Sequence, residues 1–216
     1  MLVKKKLFAL LLFWLAHNCF AIIVRDDRKD EKYLEFGKQF PAVGLILPRA
    51  GAATLIAPRW ALTAGHVAQN LRSKATISFG GEEYPIQKKV IYPGWKEEGP
   101  GDLALLYLSK AVKGVEPLSI YTGQKETGST IAFVGYGGTG TGVTGRDHED
   151  GKKRAATNQV DRADQDWLYF NFDPPASATD LEGISGPGDS GGPALIKIKE
   201  RWQIVGVSVY LRTILR

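Results

Sequence analysis

Residues 187–193 read Pro-Gly-Asp-Ser-Gly-Gly-Pro, so that a single serine stands among glycines. Glycine has no Cβ, which lets the backbone turn tightly and lets a second chain approach closely. A segment of this kind packs poorly in a core, but it suits a serine hydroxyl that must meet the backbone of a substrate. The alternative interpretation is a glycine-rich turn without chemistry. Ser190 is therefore a candidate nucleophile.

Two other segments contain the side chains that could activate this serine. Residues 62–66 read Leu-Thr-Ala-Gly-His after a strand-like apolar run, and residues 101–106 read Gly-Asp-Leu-Ala-Leu-Leu. A histidine can take the proton of a serine hydroxyl, and an aspartate can hold the imidazole in the required tautomer. Taken singly, His66 could be a structural histidine and Asp102 a turn residue. Together with the serine they predict a Ser-His-Asp triad.

The chain order His66, Asp102, Ser190 and the motifs around these residues resemble the trypsin/chymotrypsin-like serine peptidases, in particular their secreted bacterial members that lack disulfides. The resemblance covers most of residues 22–210. It implies a hydrolase, a serine-type endopeptidase that cleaves polypeptide substrates through an acyl-enzyme intermediate, with no cofactor and no metal. It also implies that the backbone N–H groups of Gly188 and Ser190 form the oxyanion hole.

Close to His66 and Ser190 the chain departs from the family pattern. Gly65 stands where alanine is commoner, and we expect the missing methyl group to loosen the backbone before His66 slightly. Val67 and Gly186 stand where the family usually has cysteines. The one cysteine of the chain, Cys19, lies near the N-terminus. We therefore expect a mature protein without disulfides.

Residues 1–21 have the pattern of a secretory signal peptide. Lysines at positions 4–6 precede the apolar residues 7–16, and Cys-Phe-Ala at positions 19–21 offers a cleavage site. The apolar stretch is too short to span a bilayer, which takes about 20 residues. The mature protein is accordingly predicted to be secreted or periplasmic, without stable membrane association. The alternative interpretation is a lipid anchor on Cys19.

Cleavage after residue 21 would make Ile22 the N-terminus. In the family, an apolar N-terminal residue folds inward, and its ammonium group pairs with the aspartate before the nucleophile and shapes the oxyanion hole. The resemblance thus implies a pair between Ile22 and Asp189, produced directly by signal peptidase. Val24 and Arg25 stand where the family has two glycines. The alternative is that residues 22–24 simply form an edge strand.

Composition limits the classes of partner. The formal net charge of +5 includes the three lysines of the signal segment, and no basic stripe interleaved with aromatic residues is present. Nucleic acid is therefore not expected as a partner. No Cys/His spacing indicates a zinc site.

Short apolar or alternating runs separated by Gly, Pro and charged turns predict an all-β protein without a long helix. The predicted strands are 42–47, 52–57, 60–63, 76–79, 84–91, 103–108, 130–135, 152–159, 167–172, 193–197 and 202–209. The resemblance implies two antiparallel six-stranded barrels of the chymotrypsin fold. Residues 22–120 would form the barrel with His66 and Asp102, and residues 121–216 the barrel with the nucleophile. This second barrel is expected to be shortened, because the sequence ends soon after Ser190.

The resemblance implies a primary specificity pocket at Ile184, Ser185 and Ser208. In the family, an acidic residue at the base of this pocket selects Lys or Arg side chains of the substrate. Ile184 occupies this position here, so an apolar or aromatic substrate side chain is favoured. Two other functions stay open. The short C-terminus favours a non-catalytic or truncated peptidase homologue that binds peptide without turnover, and the same triad could also serve an esterase-like hydrolase.

Overall fold

A computed structural model describes residues 22–97 and 99–209, apart from the side chains of residues 145–148. Most of its regular secondary structure consists of strands. The predicted signal peptide lies outside the described residues. Two short elements come first, β1 (Ile23–Val24) and α1 (Asp30–Lys38). They are followed by β2 (Val43–Leu47), β3 (Gly51–Ala57), β4 (Trp60–Thr63), α2 (Gly65–Gln69), β5 (Thr76–Phe79), β6 (Glu82–Ile91) and β7 (Ala104–Leu108). The remaining strands are β8 (Ser119–Ile120), β9 (Thr130–Gly135), β10 (Thr139–Thr141), β11 (Gly145–His148), β12 (Arg154–Gln159), β13 (Arg162–Ala163), β14 (Leu168–Tyr169), β15 (Gly183–Ile184), β16 (Pro193–Ile198) and β17 (Arg201–Val207).

The first half forms a closed antiparallel barrel with the strand order β2-β3-β4-β7-β6-β5. Alternation along β7 explains how the barrel is filled, because Ala104, Leu106 and Leu108 are buried while the residues between them are only half-buried. Gly44 lets strands approach closely, since a Cβ there would come within 2.8 Å of Ile77 and Phe79. The all-β prediction is confirmed, and the first six-stranded barrel is present.

The second half is built on a five-stranded sheet with the order β12-β9-β16-β17-β8. Its pairs are antiparallel except for β8, which runs parallel to β17 at Gln203 and Ile204. Among the described residues, no strand pairs with the same edge of β17 beyond Ile204, and the sheet is not closed. That the second barrel is shortened stays a prediction, because residues 210–216 lie outside the described residues.

A shared core joins the two halves. Side chains of the first half meet those of the second in one buried cluster, formed by Phe40, Val43, Ala52, Ala132, Val134, Ala155, Leu195 and Ile204. Burial of this apolar surface holds the halves together without a disulfide. The cleft between them can therefore keep a constant geometry.

The N-terminal segment packs on the second half. β1 lies between β10 and β15, and α1 packs on β12, where Gly37 leaves no room for a Cβ next to the carbonyl of Lys153. The sequence does not predict this helix. Since α1 buries only Tyr33 and Gly37, its residues show no helical period of apolar side chains. Residues 22–38 thus pack against the second sheet, whereas the sequence pattern grouped them with the first barrel. No helix in the described part of the chain is long and apolar enough to cross a membrane.

Arg154 connects α1 to the sheet. Its side chain is 3 % exposed, and its guanidinium group donates to the carboxylates of Asp30 at 2.6 and 2.7 Å and of Asp150 at 2.9 Å. The hydrogen bonds from Arg154 hold the pKa of the Asp150 carboxyl well below its usual range. This ion triad fixes the helix that follows β1.

Arg154→Ala is expected to lower the free energy of unfolding by about 3 kcal/mol, because breaking a buried ion pair leaves Asp150 without its partner. The value lies at the low end for such pairs, since Asp30 remains partly exposed and can be hydrated. Urea unfolding followed by tryptophan fluorescence measures it. Arg162→Ala is the control, because its ion pair with Asp164 is exposed and should change the urea midpoint little. Equal effects of the two substitutions would contradict the prediction.

Candidate active site

His66 and Asp102 are brought together by two neighbouring strands. β4 and β7 pair antiparallel with Thr63 opposite Ala104, so the residues just after β4 lie beside those just before β7. His66 stands in the first turn of α2, and Asp102 comes two residues before β7. The imidazole Nδ1 lies 2.6 Å from Asp102 Oδ2, and the backbone N–H of His66 donates to Asp102 Oδ1 at 2.8 Å.

The chemistry of this pair follows from its hydrogen bonds. A carboxylate only accepts hydrogen bonds, so His66 Nδ1 carries the proton that it shares with Asp102. The other ring nitrogen, Nε2, is then free to accept a proton. Asp102 is 8 % exposed while the His66 side chain is 34 % exposed, so that the carboxylate is shielded and the imidazole is open to the cleft. The arrangement suits a general base.

The turn that contains Ser190 is docked on the first barrel. The Ser190 carbonyl accepts a hydrogen bond from the N–H of Ala52 in β3 at 2.8 Å. A Cβ on Gly191 would overlap Thr63 Oγ1 and the Ala52 carbonyl, and its φ of +83° also favours glycine. Thr63 lies three residues before His66. The turn that contains Ser190 therefore packs against β3 and against the end of β4, which precedes His66.

The backbone of this turn leaves two N–H groups unpaired. The N–H groups of Asp189, Gly191 and Gly192 donate to carbonyl oxygens of residues 186, 208 and 189, at 3.0, 2.8 and 2.8 Å. Those of Gly188 and Ser190 have no acceptor among the described residues. Gly188 has a φ of +96°, a backbone conformation that favours glycine. Two free donors in one tight turn could bind an oxyanion.

Ser190 and His66 are not hydrogen bonded. Within the described part of the chain, the imidazole bonds to Asp102, and the Ser190 hydroxyl has no partner. In enzymes without substrate such contacts are often long and tighten only in the reacting complex. The structure thus assembles two of the three predicted triad residues by direct contact and brings the third to the same cleft.

Asp189, next to the serine, is a buried carboxylate. It is 1 % exposed and accepts hydrogen bonds at 3.1 Å from the N–H groups of Gly137 and Gly186. Burial raises the pKa of this carboxyl to about 7 from an ordinary value of 3.8. No ion pair to Asp189 occurs among the described residues, and the charge of Arg154 lowers the pKa of this carboxyl less than burial raises it.

Ile22 is buried close to the segment that binds Asp189. Its side chain is 1 % exposed, and its carbonyl accepts a bond of 3.5 Å from Thr139 Oγ1, two residues after Gly137. No hydrogen bond or ion pair joins Ile22 to Asp189 among the described residues. In the full chain the nitrogen of Ile22 is a peptide nitrogen, since residue 21 precedes it. The pairing of the two residues stays a prediction.

The residues proposed for substrate specificity fall into two places. Ser185 and Ser208 line one cavity of about 330 Å³, together with Asp102 and apolar side chains that include Phe133 and Val207. Ile184 lies in β15, where it pairs with Ile23. The Ser208 backbone bonds to Gly191 and Gly192, so this serine also supports the nucleophile turn.

Gly65 leaves no empty space before His66, and the expectation that it loosens the backbone there stays a prediction. A Cβ at this position would lie 2.8 Å from Asp102 Oδ1 and 3.0 Å from Trp95 Cε3. The space that a methyl group would fill is thus occupied by the carboxylate and the indole ring. The sequence pattern did not single out Trp95, and the missing methyl of Gly65 was the one signal that could have pointed to it.

The described residues contain no group of three or more His, Cys, Asp or Glu side chains arranged to hold a metal ion.

No curated protein matches the sequence. Among solved structures, the chain is similar to neuropsin, a serine protease expressed in the limbic system of mouse brain, with a TM-score of 0.57 and 17 % identity over 79 % of this chain and 82 % of that one. At this identity the similarity shows the fold, and the chymotrypsin-like architecture is confirmed. The Trypsin family model matches residues 38–212, and the chain therefore belongs to the trypsin/chymotrypsin-like family of serine peptidases.

Proposed function

We propose that this protein is an endopeptidase that cleaves polypeptides with Ser190 as nucleophile, His66 as general base and Asp102 as the residue that orients the imidazole. The observation that carries the proposal is the hydrogen bond of 2.6 Å between His66 Nδ1 and Asp102 Oδ2, at the edge of the cleft where the Ser190 turn is docked. Family membership supports a serine peptidase acting on polypeptides.

The proposed reaction starts with attack of Ser190 Oγ on the carbonyl carbon of the scissile bond. The hydroxyl proton passes to His66 Nε2, and the negative charge on the carbonyl oxygen is bound by the N–H groups of Gly188 and Ser190. His66 then gives the proton to the departing amine, which leaves an acyl-enzyme. Water repeats the sequence and releases the acid. Asp102 accepts from Nδ1 throughout and stabilises the imidazolium.

We also propose that the oxyanion hole matures when residues 1–21 are removed, and that the enzyme acts outside the cytoplasm as a secreted or periplasmic protein. The new ammonium group of Ile22 would pair with Asp189. Both residues are buried and both contact the segment between Gly137 and Thr139. A cation there would compensate a carboxylate that the fold otherwise buries without a partner.

A peptidase homologue that binds peptide without turnover is the second candidate. The absence of a hydrogen bond between Ser190 and His66 among the described residues favours it. An esterase-like activity would use the same three groups on another acyl substrate. The experiments below separate these possibilities.

Ser190→Ala is expected to reduce peptide hydrolysis by about six orders of magnitude, because the nucleophile is removed. Labelling of protein starting at Ile22 by a fluorophosphonate probe should vanish in this variant. Ser177→Ala is the control, since this serine is exposed and its hydroxyl bonds only to the Pro174 carbonyl. Labelling that persists in Ser190→Ala would refute the assignment. A folded wild-type protein that is never labelled would support the non-catalytic candidate.

Retention of residue 21 before Ile22 is expected to reduce kcat/KM roughly 100-fold or more, because losing a buried ion pair costs about 3 kcal/mol. Ile22→Val in a chain that starts at position 22 keeps the free ammonium and should stay active. Peptide hydrolysis by the three forms, with their N-termini verified by mass spectrometry, measures the effect. Full activity of the extended form would disprove the pairing with Asp189.

The extended form should also lose stability as the pH rises from about 4 to about 7. Its folded state keeps the Asp189 proton up to about pH 7, while the unfolded chain releases it near 3.8. The folded state thus binds more protons in this range, and the free energy of unfolding falls with pH. Urea unfolding at several pH values should show a weaker decline in extended Asp189→Asn. Parallel pH profiles of the two extended proteins would contradict the buried, uncompensated carboxyl.

A further inference from the structure

Trp95 lies against the backbone of Gly65, beside the carboxylate of Asp102. A Cβ built on Gly65 would be 3.0 Å from Trp95 Cε3, 3.2 Å from Trp95 Cδ2 and 2.8 Å from Asp102 Oδ1. The indole ring and the carboxylate oxygen therefore meet on the one face of residue 65 where a side chain would otherwise stand. This same oxygen accepts the backbone N–H of His66.

The connection between β6 and β7 turns Trp95 back toward the triad. The N–H of Tyr92 donates to the carbonyl of Leu103 at 2.9 Å, and the N–H of Trp95 donates to the carbonyl of Tyr92 at 3.1 Å. Residues 92–94 and 96–97 are exposed, whereas Trp95 is half-buried. The fold thus hides one aromatic side chain of an otherwise exposed loop, and it hides it next to Asp102.

The indole N–H does not explain this position. Trp95 Nε1 is buried and has no hydrogen-bond partner among the described residues, although a buried indole usually finds one. The ring is therefore held by packing on Gly65, with the contacts of the glycine backbone taking the place of a polar anchor.

A ring at this position would keep water away from the Asp102 carboxylate, where water would compete with His66 for hydrogen bonds. The His66 side chain is 34 % exposed and Asp102 only 8 %, so solvent reaches one end of their hydrogen bond but scarcely the other. A hydrogen bond strengthens where the local dielectric is low, and water that reaches the carboxylate would compete for its oxygens. The volume next to Gly65 is where water could reach Asp102 if the ring were absent.

We propose that Trp95 is a positioning residue, which acts on His66 through Asp102 by keeping water away from the carboxylate, and that Gly65 provides the space that the ring needs. The effect on turnover rests on the proposed function. The coupling between Trp95, Gly65 and the His66–Asp102 hydrogen bond can be measured without turnover.

The first test compares Trp95→Ala, Trp95→Phe and the control Lys96→Ala in protein that starts at Ile22. Trp95→Ala should lower kcat roughly tenfold or more with KM little changed, because small errors in the geometry of catalytic groups are costly. Trp95→Phe keeps an aromatic ring over Gly65 and should retain most of the activity, and it also serves as the test if Trp95→Ala does not fold. Lys96→Ala alters an exposed neighbour in the same loop and should behave as wild type. Wild-type kcat in Trp95→Ala would overturn the proposal.

The second test uses the close contact at Gly65. Gly65→Ala should lower kcat in the wild-type background, where the new methyl group would crowd the indole ring and Asp102. In the Trp95→Ala background the same methyl group fills part of the vacated volume, and it should raise kcat instead. Effects of Gly65→Ala that have the same sign and size in both backgrounds would show that the two positions are independent, and would overturn the proposal.

The third test reads the hydrogen bond directly. Proton NMR of the His66 Nδ1–H should show faster exchange with water in Trp95→Ala than in wild type, and slower exchange again in the double variant Gly65→Ala/Trp95→Ala. Unchanged exchange in Trp95→Ala would overturn the proposal. This readout separates the two hypotheses, since a protein without peptidase activity would refute the proposed function while the exchange rates still decide the role of Trp95.

Discussion

The Ser190 turn can reach the first barrel because glycine stands at the points of contact. Gly191 lies directly on Thr63 and on the carbonyl of Ala52, and a Cβ on Gly51 would come within 2.5 Å of the Ser190 carbonyl. A methyl group at either position would overlap atoms of the other half, so that the two halves could not approach as closely. The distance between Ser190 and His66 is set across this contact, because the serine belongs to one half and the histidine to the other. The geometry of the cleft therefore depends on the absence of two side chains.

The buried polar groups between the halves connect the N-terminal segment to the nucleophile turn. The Lys153 ammonium donates to the carbonyls of Phe40 and Val43, and its burial lowers its pKa to about 8. The Tyr136 hydroxyl donates to the same Val43 carbonyl, and burial raises its pKa to about 12. The residue after Tyr136 provides one of the two N–H groups that bind Asp189. Groups that would be costly to bury alone are satisfied by backbone carbonyls here. Tyr136 thus connects the Val43 carbonyl to the segment that binds Asp189.

The two buried carboxylates of the site have different hydrogen-bond partners. The Asp102 carboxylate accepts from both the imidazole and the backbone of His66, and Trp95 shields it at Gly65. The Asp189 carboxylate accepts only from backbone N–H groups among the described residues, and its burial raises its pKa. The position of the Asp102 carboxylate is thus fixed by contacts within the first barrel. In the proposed mature protein, the ammonium group of Ile22 would supply the cation that the second carboxylate lacks.

The sequence by itself determined the class of the fold and the candidate triad. Alternating apolar runs predict strands such as 60–63 and 76–79, whose observed bounds agree, because alternation is imposed by the barrel interior at each strand. The glycine-flanked Ser190 can likewise be recognised, since a tight turn requires those residue types locally. Only the tertiary structure decided that residues 22–38 pack on the second sheet, that Arg154 joins α1 to β12, and that Trp95 occupies the space beside Gly65. These features arise from contacts between residues far apart in the chain, and α1 in particular buries too few side chains to leave a helical period. The local sequence pattern specifies local conformation. The residues that surround Gly65 and Asp189 come from distant parts of the chain, so only folding brings them together.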